Sequence, residues 1–123
     1  MSAKKVLIID DSQTIRRSAE NMLSSEHVEI LTAEDGFQAL SIIAEEKPHL
    51  IFIDIVMPRL DGYQACAIIK NNPDYRDIPV IMLTSKDGLF DRARGEVVGS
   101  DHYLTKPFTK DELLQSLQQH LPA

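Results

Sequence analysis

The sequence has a single cysteine, no long apolar run and no excess of basic residues. With Cys66 alone, the chain forms neither an internal disulfide nor a zinc site built from several cysteines. Its apolar runs fall far short of the roughly 20 residues that cross a bilayer as a helix, so we expect no membrane insertion. Lys and Arg number 13 against 19 Asp and Glu, and the net charge of −6 argues against a nucleic-acid partner. The N-terminus lacks a signal-peptide layout, so we expect a cytoplasmic protein.

Length and composition are those of one globular domain. The chain has 123 residues, of which 43% are hydrophobic and 26% are charged. A chain of this size buries a core without disulfide or metal staples. We find no linker, low-complexity segment or second domain, so we expect residues 1–123 to form a single domain.

Short apolar runs rich in valine and isoleucine predict the strands of a parallel sheet that is covered on both faces. Clear runs occupy residues 6–9, 50–53 and 80–83, and weaker ones occupy 28–32 and 102–104. Each intervening segment is long enough for a helix with its loops. Five strand–helix units in a row imply right-handed crossovers and a doubly wound α/β sheet.

Helix-start patterns support the predicted helices between these strands. Asp35, Asp61 and Thr109 are each followed three residues later by Gln or Glu, which resembles a capping box. Ser12 is placed to cap the first helix. Two apolar stripes also have helical spacing, namely Ile15, Ala19, Met22 and Leu23, and Leu113, Leu114, Leu117 and Leu121.

Chemistry-bearing side chains gather where the predicted strands end. They are Asp10 and Asp11 after the first strand, Asp54 at the end of the third, Thr84 and Ser85 after the fourth, and Lys106 after the fifth. In an open parallel sheet, ligands bind beyond the carboxyl ends of the strands, where the strand order reverses. We therefore expect three carboxylates, a hydroxyl and an ammonium group to converge at one edge of the sheet.

Three carboxylates held close together repel one another and need compensating positive charge. Oxygen ligands suit Mg²⁺, which usually keeps several waters and is completed by phosphate oxygens. A lysine opposite the metal supplies a second positive charge. A carboxylate between the two can act as a nucleophile toward a phosphoryl group whose oxygens the cations neutralise. The pattern thus predicts a Mg²⁺-dependent phosphoryl-accepting site.

Four motifs at these strand ends, taken in order, resemble those of the response-regulator receiver domain (CheY-like). They span residues 8–12, 54–62, 79–85 and 103–108, and the similarity extends from Lys4 to about Leu121. The resemblance implies a flavodoxin-like fold of five parallel strands in the order 2-1-3-4-5. The segment 69–95 is most similar to receivers of chemotaxis-type systems that drive type IV pilus twitching motility.

The resemblance implies a role for each member of the acidic site. Asp54 would be the phosphoacceptor and would take its phosphoryl group from a histidine kinase. Asp10, Asp11, Asp54 and the backbone carbonyl of Val56 would bind Mg²⁺. Lys106 would hold the phosphoryl group. The protein would be no enzyme beyond its own phosphorylation and dephosphorylation.

The resemblance also implies a switch and an output surface. Thr84 would be the switch hydroxyl, and the aromatic ring of Tyr103 would move inward when Thr84 is drawn to the phosphoryl group. The peptide bond between Lys106 and Pro107 would be cis. A downstream motor or regulator protein would bind the surface formed by the fourth helix, fifth strand and fifth helix, where the candidates are Leu89, Arg92, Tyr103, Thr105, Phe108 and Leu113. Since the sequence ends just after the fifth predicted helix, we expect output through this partner.

Three alternatives remain open at the level of sequence. A phosphate sink that drains a kinase would share every site residue. A haloacid-dehalogenase-type phosphohydrolase would place its two acids two residues apart, whereas Asp10 and Asp11 are adjacent. A flavodoxin-like electron carrier would need a phosphate loop rich in hydroxyls and glycines instead of this acidic pair. The four histidines lack metal-site spacing, and we do not predict them as ligands.

Overall fold

A computed structural model describes residues 3–85 and 92–122. Strands and helices alternate along these residues as β1 (Lys4–Ile9), α1 (Gln13–Leu23), β2 (Val28–Ala33), α2 (Gly36–Glu46), β3 (Leu50–Asp54), α3 (Gly62–Lys70), β4 (Val80–Ser85), α4 (Arg92–Val98), β5 (His102–Lys106) and α5 (Lys110–His120). The strands form one parallel sheet in the order β2-β1-β3-β4-β5, which confirms the predicted fold. Within the described ranges, no helix has the length and apolarity that a membrane crossing requires.

The central strand β3 is buried along its whole length because both faces of the sheet are covered by helices. Successive side chains of a strand point to opposite faces. Ile51 and Ile53 therefore pack into the core that β3 shares with α2 and α3. Leu50 and Phe52 pack into the second core, which lies under α1 and α5. The carboxyl end of β3 is thereby held between two apolar layers.

The predicted caps fix where four helices begin. Ser12 Oγ accepts a hydrogen bond from the Ile15 amide, and the Asp35 carboxylate caps α2 in the same way. Asp61 and Thr109 form complete capping boxes at the starts of α3 and α5. Each cap satisfies amide groups that the first helical turn leaves unpaired. The helices consequently start within a few residues of the strand ends that carry the polar side chains.

Two residues expected on the partner surface are buried instead. Phe108 is 7% exposed and Leu113 is 1% exposed, and both belong to the core under α1 and α5. Leu113 lies on the apolar stripe of α5, which packs against α1 and therefore faces inward. This corrects the sequence-based surface assignment for both residues. Tyr103 is half-buried and Thr105 is exposed, while Leu89 and the side chain of Arg92 lie outside the described residues.

Candidate functional site

The three predicted carboxylates meet at the carboxyl edge of the sheet. Asp10 follows β1 and Asp54 ends β3, and these two strands are paired neighbours. Each of Asp10, Asp11 and Asp54 places a carboxylate oxygen within 4.8 Å of the other two. Asp10 and Asp54 are 0% and 4% exposed, whereas Asp11 is exposed. The site thus consists of two buried acids with a third at the solvent side.

Asp10 is held by a hydrogen bond at each of its polar atoms. Its amide donates to the Ala33 carbonyl at 3.1 Å, and its Oδ1 accepts from the Ser12 amide at 2.9 Å. Its Oδ2 accepts from Lys106 Nζ at 3.0 Å, and its carbonyl accepts from Arg16 Nη1 at 2.6 Å. Asp10 is therefore fixed in position before any ligand binds. Arg16 could not be identified from the sequence, because nothing in its helical position shows that it reaches back to the end of β1.

Lys106 lies between the two buried acids. Its Nζ is 3.0 Å from Asp10 Oδ2 and 3.2 Å from Asp54 Oδ1. Burial by itself would lower the pKa of Lys106, but the hydrogen bond and charge of Asp10, together with those of Asp54, raise it above the usual value. The side chain is thus an ammonium ion at neutral pH. It supplies part of the positive charge that the acid cluster needs.

The negative charge of Asp54 is only partly compensated by its surroundings. Burial raises its pKa most, and the negative charge of Asp10 raises it further. The positive charge of Lys106 opposes this shift, as do the hydrogen bonds from Lys106 and from the Val56 amide, the latter at 3.3 Å. The net result is a pKa raised to about 6. The ionised carboxylate is therefore disfavoured by its surroundings, and a further cation would stabilise it.

A cavity of about 340 Å³ opens over this cluster. Its lining contains Asp11, Asp54, Ile55, Val56, Leu83, Thr84, Ser85 and Lys106. Thr84 is 5% exposed, and Val56 is 60% exposed. The space beside Asp54 therefore offers carboxylate oxygens, a hydroxyl and an ammonium group to one small ligand. Such a set of groups suits an anion that is bound together with a hard cation.

Gly62 supports the site from beneath. Its amide donates to the Ile55 carbonyl at 2.9 Å, and a Cβ built at this position would lie 2.4 Å from the Asp54 carbonyl oxygen. The first turn of α3 thus packs directly on the backbone of β3 at Asp54, which only glycine permits.

Most of the predicted site residues come together. The side chains of Asp10, Asp11, Asp54, Thr84 and Lys106 lie at one strand edge, with Val56 beside them. Tyr103 does not line the cavity. It pairs with Met82 in the sheet and packs against the core that lies under α2 and α3. The peptide bond between Lys106 and Pro107 is cis, as expected.

Comparisons with known proteins agree with this geometry. Residues 6–118 match the response regulator receiver domain. Protein PilG of Pseudomonas aeruginosa is 60% identical over 119 residues, which cover 97% of this chain and 88% of PilG. The probable transcriptional regulator ycf27 of Porphyridium aerugineum is 42% identical, but the match covers 92% of this chain and only 46% of that protein.

Solved structures show the same relationship. The chemotaxis protein CheY4 of Vibrio cholerae superposes with a TM-score of 0.90 at 32% identity, covering 97% of this chain and 99% of CheY4. A putative response regulator from Chloroflexus aurantiacus gives a TM-score of 0.89 at 29% identity, covering 95% of this chain and 96% of that one. These matches favour a signalling module over the phosphohydrolase and the electron carrier considered from sequence. The chain belongs to the response regulator receiver domain family, the signalling modules of two-component systems.

Proposed function

We propose that Asp54 accepts a phosphoryl group from the phosphohistidine of a histidine kinase. The supporting observation is the position of Asp54, which ends a buried strand beside Lys106 and the Asp10–Asp11 pair. A buried carboxylate with a raised pKa at the base of a cavity is a candidate functional group rather than a structural one. We further propose that residues 1–123 act as a single receiver domain.

The donor set fits Mg²⁺. Three carboxylates offer hard oxygen ligands within 4.8 Å of one another, and the backbone carbonyl of Val56 would add a fourth. Asp10 already accepts hydrogen bonds at both carboxylate oxygens, whereas Asp11 is exposed. When bound here, Mg²⁺ would neutralise carboxylate and phosphoryl oxygens.

In the proposed transfer, an oxygen of Asp54 forms a bond to phosphorus while the bond between phosphorus and the kinase imidazole nitrogen breaks. The imidazole leaves as the neutral ring after taking up a proton. Lys106, which bridges Asp10 and Asp54, would hold a phosphoryl oxygen. The buried hydroxyl of Thr84 would donate to another oxygen.

These new bonds would supply the signal. A shift of a two-state equilibrium from about 1:99 to 99:1 needs roughly 5.5 kcal/mol of differential binding. Charge-assisted hydrogen bonds contribute about 1.5–3 kcal/mol each, so bonds from Lys106 and Thr84 are of the right order. We propose that movement of Thr84 lets Tyr103 turn inward and changes the α4–β5–α5 surface, on which Thr105 is exposed.

The similarities to PilG and to a chemotaxis protein support a place in motility or chemotaxis-type signalling. The partner would then be a downstream motor or regulator protein. A phosphate sink differs from this proposal only at the output surface. Substitution of Tyr103 separates the output protein from the phosphate sink. It would block signal output, but it would leave the transfer of phosphoryl groups away from a kinase intact.

The acceptor assignment is tested by mass spectrometry. The intact protein is incubated with Mg²⁺ and acetyl phosphate, beside Asp54→Asn and the surface control Asp74→Asn. We expect a gain of about 80 Da, the mass of one phosphoryl group, in the wild type and in the Asp74 variant only. A gain that persists in Asp54→Asn would contradict the assignment.

A further inference from the structure

Arg16 reaches from the start of α1 back to the end of β1. Its Nη1 donates a hydrogen bond to the backbone carbonyl of Asp10 at 2.6 Å. The pairing of β1 with β2 and with β3 ends at Ile9, so this carbonyl lies beyond the last paired residue of the strand. The donor is a charged guanidinium, and charge-assisted hydrogen bonds are roughly twice as strong as neutral ones. Arg16 thus fixes a carbonyl group at the point where the sheet ends.

The two peptide groups that flank Asp11 are both held by hydrogen bonds. The first, between Asp10 and Asp11, is held at its carbonyl by Arg16. The second, between Asp11 and Ser12, is held at its amide, which donates to Asp10 Oδ1 at 2.9 Å. A peptide group is planar, so the chain rotates only about the two bonds that join such planes at a Cα atom. With both planes held, the Cα–Cβ bond of Asp11 has a fixed direction.

Asp11 depends on its backbone for orientation more than the other two acids do. Asp10 and Asp54 are 0% and 4% exposed, and Lys106 Nζ contacts both of them. Asp11 is exposed, yet it lines the cavity and brings a carboxylate oxygen within 4.8 Å of the other two acids. Burial therefore cannot orient Asp11 as it orients the buried pair, and the held peptide groups must do so.

We propose that Arg16 is a positioning residue for Asp11 as a ligand of Mg²⁺, an inference that rests on the proposed function of the acid cluster. Mg²⁺ requires near-ideal octahedral geometry with ligand oxygens at about 2.0–2.1 Å, whereas Ca²⁺ accepts longer and more variable distances. A carboxylate that is already held in one direction meets the stricter requirement at a lower cost in entropy. Arg16 acts through the peptide group and is not itself a ligand. Its hydrogen bond therefore favours Mg²⁺ over Ca²⁺.

The charge of Arg16 by itself has the opposite effect on metal binding. A guanidinium repels a divalent cation, so removal of the charge alone would tighten the binding of Mg²⁺. Loss of the hydrogen bond would weaken the binding, because the Asp11 carboxylate would then sample several directions. The sign of the change in Kd thus separates positioning from simple electrostatics.

The test is NMR titration of the full chain with Mg²⁺ and, separately, with Ca²⁺. In Arg16→Met, most of the aliphatic stem remains, but the side chain has no group that donates to the Asp10 carbonyl. We expect the Kd for Mg²⁺ to rise about tenfold and the Kd for Ca²⁺ to rise about threefold or less. Arg16→Lys keeps a charged donor and should recover part of the affinity for Mg²⁺. The matched control Arg17→Met removes the same charge at the exposed neighbouring position and should not raise either Kd.

Urea unfolding without metal shows whether each variant is folded under the conditions of the titration. A Kd for Mg²⁺ that is unchanged or lower in Arg16→Met would overturn the proposal and leave Arg16 as a structural contact. Equal losses for Mg²⁺ and Ca²⁺, or a rise of the same size in Arg17→Met, would also overturn it. In these outcomes the wild type binds Mg²⁺, so the proposed function stands. A wild type that does not bind Mg²⁺ would instead overturn the proposed metal site, and this inference with it.

Discussion

Lys106 Nζ lies 3.0 Å from Asp10 Oδ2, although 96 residues separate the two in the chain. The same ammonium group reaches Asp54 at 3.2 Å. It thus supplies one shared positive charge to two buried acids. Two substitutions around this contact test the electrostatics of the site.

Removal of the ammonium group should destabilise the fold. In Lys106→Gln, Asp10 and Asp54 lose their shared cation while both remain buried. We expect a loss of about 2–4 kcal/mol in the free energy of unfolding at pH 7 without divalent cations. Urea unfolding measures it, and added Mg²⁺ should restore part of the loss. Lys110→Gln, at an exposed position of α5, is the control, and an equal loss there would refute the explanation.

Removal of the negative charge of Asp54 should instead stabilise the fold. The pKa of Asp54 is raised to about 6 from 3.8, so the folded chain binds its proton more tightly than the unfolded chain does. Ionisation at pH 7 therefore costs stability. Asp54→Asn should gain about 1–3 kcal/mol at pH 7 without Mg²⁺.

The gain in Asp54→Asn should shrink as the pH falls below 6, because wild-type Asp54 then becomes neutral in the fold. Urea unfolding across this pH range measures the trend. A gain that stays constant with pH would show that charge is not its cause.

Gly62 and Gly36 form a matched pair for testing how α3 positions Asp54. A Cβ at Gly62 would lie 2.4 Å from the backbone oxygen of Asp54, whereas one at Gly36 would meet the flexible end of Leu60 at 2.7 Å. Gly62→Ala should cost about 3 kcal/mol or more, and Gly36→Ala should cost less. Only Gly62→Ala should also slow phosphorylation by acetyl phosphate. Equal effects of the two substitutions on stability and on phosphorylation would mean that the contact of α3 with Asp54 does not position this residue.

His49 lies at the opposite edge of the sheet from the acid cluster, and it should make the free energy of unfolding depend on pH. Its Nδ1 accepts a hydrogen bond from the Lys5 amide at 2.9 Å, which a protonated ring cannot do. Burial, and then the charges of Lys4 and Lys5, lower the pKa of His49 below 6.5. The unfolded chain therefore binds this proton at higher pH than the fold does, and stability falls as the pH drops below about 6.5.

In His49→Asn, the side-chain oxygen replaces the acceptor without titrating. We expect a smaller loss of stability between pH 7 and 5 than in the wild type, measured by urea unfolding at each pH. His27→Asn should retain the wild-type slope. If His49→Asn also retains the wild-type slope of stability against pH, the proton that destabilises the fold does not bind at His49.

Thr84 tests the proposed link between the site and the surface. Thr84→Ala keeps the acceptor and should still bind beryllofluoride, a phosphoryl mimic, at Asp54. It should not transmit the change to Tyr103, because the hydroxyl that moves is gone. Thr84→Ser should restore transmission. The measurement is the shift of the Tyr103 ring signals in NMR on addition of the mimic, and a wild-type shift in Thr84→Ala would refute the link.

Local sequence patterns predicted the elements well. The apolar runs marked the five strands, and Asp35, Asp61 and Thr109 marked helix starts, because a strand and a cap depend mainly on residues within one short segment. The acid cluster was also predictable, since parallel strands place their carboxyl ends at one edge. Phe108 and Leu113 were misplaced because exposure depends on which neighbour an apolar stripe meets.

The amino-acid sequence by itself determined the parallel sheet and the polar residues that its strand ends carry. Only the tertiary structure decided how these groups are held, through the Arg16 bond to the Asp10 carbonyl and the packing of Gly62 on Asp54. It also decided that His102 and His120 face each other. The physical reason is distance: periodicity reports neighbours along one element, whereas these contacts arise only when separate elements pack together.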